Sequence, residues 1–217
     1  MNNKPLTAEL LIATGCTHCP VVLEALTTLL KKGRFAKLTI TNIAQSPERA
    51  QELGVRSVPW LQLGPFTLTG MHSLAELTEW IEQAGSIEGM SRYIEEQLKQ
   101  GNLSDVESLL KKQPEMMAAL IPLMDDENTD MKIRFGVDAL IESLAIESDI
   151  SPLIPELGKL SGSTRQALRA DATHYLSLTR HKDAVPFLEA RLKDESEDIR
   201  EIAQDSINQD AQGEFHG

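Results

Sequence analysis

The hydrophobic pattern of this chain changes character once, near Gly89. Before that point, short apolar runs alternate with amphipathic stretches; after it, helical periodicity continues almost without a break. "AELLIA" (8–13) reads as a buried strand. Residues 17–32 read as a helix with Val21, Val22, Ala25, Leu26, Leu29 and Leu30 facing inward and Gly33 closing it. "AKLTITNI" (36–43) alternates as a strand does. In "SPERAQELG" (46–54), Ser46 suits a cap, Pro47 a first turn and Gly54 a helix end. "VPWLQL" and "FTLT" read as a hairpin turning at Gly64 and Pro65. Ser73 and Glu76 form a capping box that opens a last helix, ended by Gly85. The predicted order is βαβαββα, with parallel strands across the first crossover.

Beyond Gly89 a repeat emerges. Pro122, Pro155 and Pro186 stand 33 and 31 residues apart, each in an apolar setting followed by a second amphipathic stretch. In the last unit, Val185, Leu188 and Leu192 make one stripe. Asp194 or Ser196 can cap the next helix, where Ile199, Ile202, Ala203 and Ile207 make another. Two such short helices cannot bury both stripes alone, so neighbouring units must stack. Leu168 matches Ile199, Arg169 matches Arg200 and Ala172 matches Ala203, while the first unit's register stays open between Lys132 and Arg134. This pattern, over residues 115–209, resembles HEAT-like repeats of the shorter kind. "MSRYIEEQLKQGNLSDVESLLKKQPE" reads as two helices hinged at Gly101 and Asn102 that cap the stack. The polar end, 210–217, is expected to be disordered.

Charge divides at the same place. Through Glu88 there are 7 Lys/Arg against 8 Asp/Glu, and from Gly89 onward 14 against 25, giving −1 and −11 of the total −12. An acidic surface repels phosphate backbones, so nucleic acid is not an expected partner. No apolar run approaches the roughly 20 residues that span a bilayer, and no secretory pattern opens the chain. The expected location is cytoplasmic, with no membrane association.

Cys16 and Cys19 are the only cysteines. In a reducing compartment, a CxxC pair points to redox chemistry or metal binding rather than a permanent bridge. Cys16 falls where a strand meets a helix, so unpaired amides and the helix dipole favour its thiolate. His18, between the cysteines, can add charge or a hydrogen bond. Cys19, one turn on, is expected to be less exposed. That asymmetry suits a nucleophile, Cys16, and a resolving thiol, Cys19. "TGCTHCPVVLEAL" also resembles the soft-metal loops of copper chaperones. Two features depart from them: Thr14 stands where they carry Met, and the predicted order is not their βαββαβ.

"ELGVRSVPWLQL", in which Val58-Pro59 opens a strand some 40 residues after the CxxC, and "TGMHSLAEL" with Gly70 resemble the thioredoxin superfamily in its minimal, glutaredoxin-sized form, over residues 6–85. The resemblance implies that Pro59 is cis and faces the cysteines. It further implies that Val58 offers its backbone to an extended substrate, and that Ser57, Gly70 and Met71 line the groove. The buried Asp of thioredoxin corresponds to Leu10, its Trp before the first cysteine to Gly15, and its Gly-Pro between the cysteines to Thr17-His18. A His before the second cysteine is similar to the more oxidising members.

The expected fold is therefore α/β plus all-α: a thioredoxin-like domain (1–88), a HEAT-like helical domain (89–209) and a tail (210–217). The expected function is thiol–disulfide exchange by Cys16 and Cys19, tuned by His18, on a protein disulfide or mixed disulfide. The helical domain is expected to recruit a protein partner. No cofactor beyond the redox-active disulfide is expected, and no metal, since His174 and His181 lack ligand spacing. The alternative is a non-catalytic adaptor whose CxxC senses redox state or holds a soft metal.

Overall fold

A computed structural model describes residues 5–213, 215 and 216. The chain divides into two compact units, with the boundary between Met90 and Ser91. The first contains β1 (Thr7–Ile12), α1 (Cys19–Lys31), β2 (Lys37–Asn42), α2 (Glu48–Glu52), β3 (Trp60–Leu63), β4 (Phe66–Thr69) and α3 (Leu74–Gln83). The strands form one sheet in the order β2-β1-β3-β4. β1 runs parallel to β2 and antiparallel to β3, and β3 and β4 form a hairpin.

Strand alternation sorts the two sheet faces. Ala8 and Leu10 pair with Leu63 and Leu61, which pair in turn with Phe66 and Leu68. All six are buried. α3 covers this face, with the Trp80 ring 4.8 Å from that of Phe66. The opposite face carries Glu9, Gln62 and Thr67, with Leu11 and Trp60 as its apolar spot. Short α2 covers that spot with Ala50, and Ile43, Val55 and Val58 pack around it. Arg49 of α2 clasps Glu9 on the central strand, donating from Nε and Nη2 at 2.6 and 2.7 Å.

Two local expectations are corrected, and the strand expected over 36–43 is present. α1 starts at Cys19 and buries Cys19, Val22, Ala25, Leu26 and Leu29, which leaves Val21 on the solvent side, 46% exposed. Ser46 does not cap α2: Pro47 holds the cap position, and no side chain bonds there. β2 lies at the sheet edge and buries no residue, with Ile40 45% exposed. The capping box of Ser73 and Glu76 is present in both directions.

α4 (Ile87–Gln100) carries the chain into the second unit, and α5 (Leu103–Lys112) follows after a turn at Gly101, whose φ of 85° suits glycine. Three similar units then succeed one another. In each, a 3₁₀ turn leads into a short helix with proline in its first turn: α6 (Ile121–Asp125), α8 (Ile154–Leu160) and α10 (Val185–Arg191). A longer helix follows: α7 (Met131–Glu147), α9 (Gln166–Leu178) and α11 (Glu197–Ala211). Proline is tolerated there because its missing N–H would be unpaired in any case.

Side chains repeat as well. Ile133, Leu168 and Ile199 are buried at one equivalent position, and Val137, Ala172 and Ala203 four residues later. The arginine after the first of these folds back onto carbonyls before its own helix. Arg134 donates to Asp126 O at 2.7 Å, Arg169 to Ser163 O at 2.8 Å and Arg200 to Asp194 O at 2.7 Å. This settles the first unit's register on Arg134 rather than Lys132. Among the described residues, no helix is long and apolar enough to cross a membrane.

The tail expected to be disordered differs in the described residues. α11 runs to Ala211, Phe215 is 5% exposed, and His216 lies in a β-bridge beside His181, donating its N–H to Arg180 O and accepting from Lys182 N–H, both at 2.9 Å. The physical reason is Phe215: one aromatic ring that can be buried offsets the polarity around it. Glu214 and Gly217 lie outside the described residues.

Candidate redox site

The turn after β1 sets Cys16 in place. Gly15 has φ of 80°, a left-handed conformation that a side chain would strain, so glycine fits where the resemblance would place Trp. Cys16 N–H donates to Ala13 O at 3.2 Å. Asn42, at the end of β2, braces the turn by donating to Thr14 Oγ1 at 3.3 Å.

α1 begins on the second cysteine. His18 is its cap residue and makes no side-chain capping bond, while Pro20 occupies the first turn. The Cys19 N–H, one of the donors a helix start leaves unpaired, points to Cys16 Sγ at 3.1 Å. Cys16 thus caps the helix with sulfur where other helices use oxygen. Cys16 and Cys19 are joined by a disulfide across a Cα–Cα distance of 5.5 Å. Cys16 is half-buried, and Cys19 is 4% exposed.

The loop before β3 meets this pair from the other side. Cys16 Sγ lies 3.9 Å from the Val58 carbonyl oxygen. The Val58–Pro59 peptide is cis. Gly70 N–H donates to Pro59 O at 2.9 Å, extending the β3–β4 ladder by one step. Met71 follows, 59% exposed. Cys16, Cys19, Val58, Pro59 and Gly70 are therefore linked contact by contact, with Met71 beside them. Ser57 and His18 are exposed, and no hydrogen bond ties either side chain to the group among the described residues.

Residues 7–82 match the family model of the thioredoxin domain. The first unit is thioredoxin-like. No curated protein matches the chain.

Two supports of the thioredoxin-like domain were not singled out from sequence. One is the Asn42–Thr14 brace; an Asn closing a strand was its only signal. The other is the Glu9–Arg49 pair, in which the Arg49 hydrogen bonds hold the Glu9 carboxyl below its ordinary range. Leu10, where thioredoxin carries a carboxylate, is wholly buried. Among the described residues, no group of three or more His, Cys, Asp or Glu side chains is arranged to hold a metal ion.

Proposed function

We propose that this protein exchanges disulfides with other proteins through Cys16 and Cys19, and that its helical domain, built of HEAT-like repeats, recruits the partner. The observation that carries the proposal is the bonded pair at the β1–α1 turn, with its half-buried member against the Val58 backbone and its buried member in the first turn of the helix.

In the reduced protein, the Cys16 thiolate attacks one sulfur of a substrate disulfide. The substrate S–S bond breaks, a Cys16–substrate bond forms, and the departing thiolate takes a proton from solvent. Cys19, deprotonated, then attacks Cys16 Sγ and closes the Cys16–Cys19 bond. The substrate leaves as its second thiol. Two electrons pass to the substrate, and a small-molecule or protein dithiol restores the pair. The same steps run backwards for an oxidant. Val58, with Ser57, Pro59, Gly70 and Met71, is the proposed seat of an extended substrate segment.

The three equivalent Pro-led units support the HEAT-like reading, and stacked units of this kind present extended binding surfaces. A cytoplasmic setting, and independence from nucleic acid, membrane and bound cofactor, belong to the same proposal. Trapping tests it. Cys19→Ser should hold substrates on Cys16 as mixed disulfides that a thiol reductant releases, and Cys16→Ser should hold none. Equal capture by both variants would remove the assigned order.

A further inference from the structure

The second helices of the first two repeats frame a groove of about 370 Å³. Met124, Met131, Phe135 and Val137 supply its apolar lining. Met131 and Phe135, one turn apart on α7, are 64% and 65% exposed. Two large apolar side chains side by side at that exposure, covered by nothing among the described residues, mark a candidate interaction surface.

Carboxylates occupy the other wall. Asp138 lies one turn beyond Arg134 on α7, and Asp171 faces it from α9. Asp138 accepts a hydrogen bond from the buried Tyr175 hydroxyl. That neutral partner orients Asp138 without cancelling its charge. Asp171 is exposed and makes no hydrogen bond or ion pair among the described residues, and partial desolvation at the groove together with the Asp138 charge raises its carboxyl above the ordinary value against the weaker pull of Arg134 and His174. Arg134 is the cation at the groove. Its guanidinium is spent on the carbonyls of Asp126, Thr129 and Met124, at 2.7, 3.3 and 3.5 Å. The groove therefore joins an exposed apolar ledge to two carboxylates that, among the described residues, make no ion pair, with the single Arg134 charge turned toward backbone carbonyls.

We propose that this groove binds a polypeptide segment of a partner protein in which a Lys or Arg is flanked by large apolar side chains. The cation pairs with Asp171 and Asp138, its methylene stem lies along Phe135, and the apolar neighbours cover Met131. Charge complementarity selects this occupant: the chain from Gly89 onward carries −11, so a basic segment is attracted and an acidic one repelled. The inference rests on the recruiting role given above to the helical domain and specifies its chemistry.

The test pans a phage-displayed random dodecapeptide library on the full chain and measures the enriched peptides, fluorescein-labelled, by anisotropy. Enriched sequences should carry Lys or Arg beside Leu, Ile, Met or Phe. Phe135→Glu and Asp171→Lys should each weaken them about tenfold or more, with unchanged melting, since both side chains are exposed. Asp171→Lys should also turn the preference toward acidic peptides. Basic, apolar peptides that bind both variants unchanged would overturn the groove and leave the recruiting role standing. Failure of the helical domain to bind any peptide would overturn both. A self-association that Phe135→Glu abolishes would assign the groove to a second copy instead. Disulfide turnover, assayed on the same variants, should be intact throughout, so loss of the redox chemistry is read separately.

Discussion

The backbone N–H of Cys19 points at the sulfur of Cys16 from 3.1 Å. Reduction leaves that donor facing a thiol, and it favours the thiolate through a charge-assisted hydrogen bond as well as the helix dipole. Cys19 has no such advantage: its sulfur is buried, and burial disfavours charge. In the reduced protein, Cys16 should be alkylated at lower pH and faster than Cys19, as residue-resolved mass spectrometry of iodoacetamide labelling across pH would reveal. Equal profiles would remove the asymmetry on which the attacking role depends. The exposed His18 is a weaker contributor than the helix amide, so His18→Ala should move the Cys16 profile by no more than a few tenths of a pH unit, as for other solvent-screened charges.

The same stabilisation sets a redox expectation. A thiolate held by a helix amide lowers the free energy of the dithiol form, which makes the disulfide the better oxidant. Leu10 places no carboxylate there to oppose it. The reduction potential should therefore lie above thioredoxin's value of about −270 mV, and a rise of about 30 mV corresponds to roughly 1.4 kcal/mol. A glutathione titration followed by thiol labelling measures it. A value at or below thioredoxin's would favour a dedicated reductase role.

In the helical domain, Arg169 and Asp194 form a buried bidentate pair, with contacts of 2.8 and 3.1 Å and side-chain exposures of 6% and 3%. Burial alone would push the Asp194 carboxyl up. The Arg169 hydrogen bonds, the Ser196 N–H and the charges of Arg169 and Arg191 outweigh that and hold it below its ordinary value. A folded-state value below the unfolded value of about 3.9 means that the native protein binds fewer protons there. The stabilisation is then complete above about pH 4 and is lost as pH falls through the folded value. Asp194→Ala should cost about 3 kcal/mol at neutral pH by removing the buried partner of Arg169, which keeps only the exposed Glu195 carboxylate at 2.8 Å and the Ser163 carbonyl, and should remove this part of the acid dependence. The double variant Arg169→Met/Asp194→Leu should lose less than that single change. Urea unfolding at pH 7 and pH 3.5 distinguishes these outcomes.

Much of this architecture was legible in the sequence because periodicity and punctuation agreed. The Ser73–Glu76 box, the Phe66–Thr69 strand and the Pro122, Pro155 and Pro186 helices all follow from local chemistry that packing reinforces. The misplacements arose where tertiary context decides. Val21 fits the edge of an inward stripe by spacing, but the buried line runs through Cys19, Val22, Ala25, Leu26 and Leu29, which leaves Val21 on the solvent side. Phe215 looked like part of a polar tail because a single aromatic gives no period. At the site, Cys16, Cys19 and Val58 could be named from spacing and resemblance. The Asn42–Thr14 brace joins residues 28 positions apart that share no motif, so only the folded chain brings them together.

The central claim is that Cys16 and Cys19 carry out thiol–disulfide exchange, and single-turnover reduction of insulin tests it most directly. Pre-reduced full-length protein, freed of reductant, is mixed with excess insulin and quenched with acid at intervals, and thiols on both partners are counted by mass. The account predicts that each protein molecule loses both thiols while insulin gains two, that Cys19→Ser stops at a Cys16–insulin adduct, and that Cys16→Ser transfers nothing. Exchange no faster than that of an unstructured peptide containing the same CxxC, or an adduct that forms on Cys19 in the wild-type order of events, would contradict it.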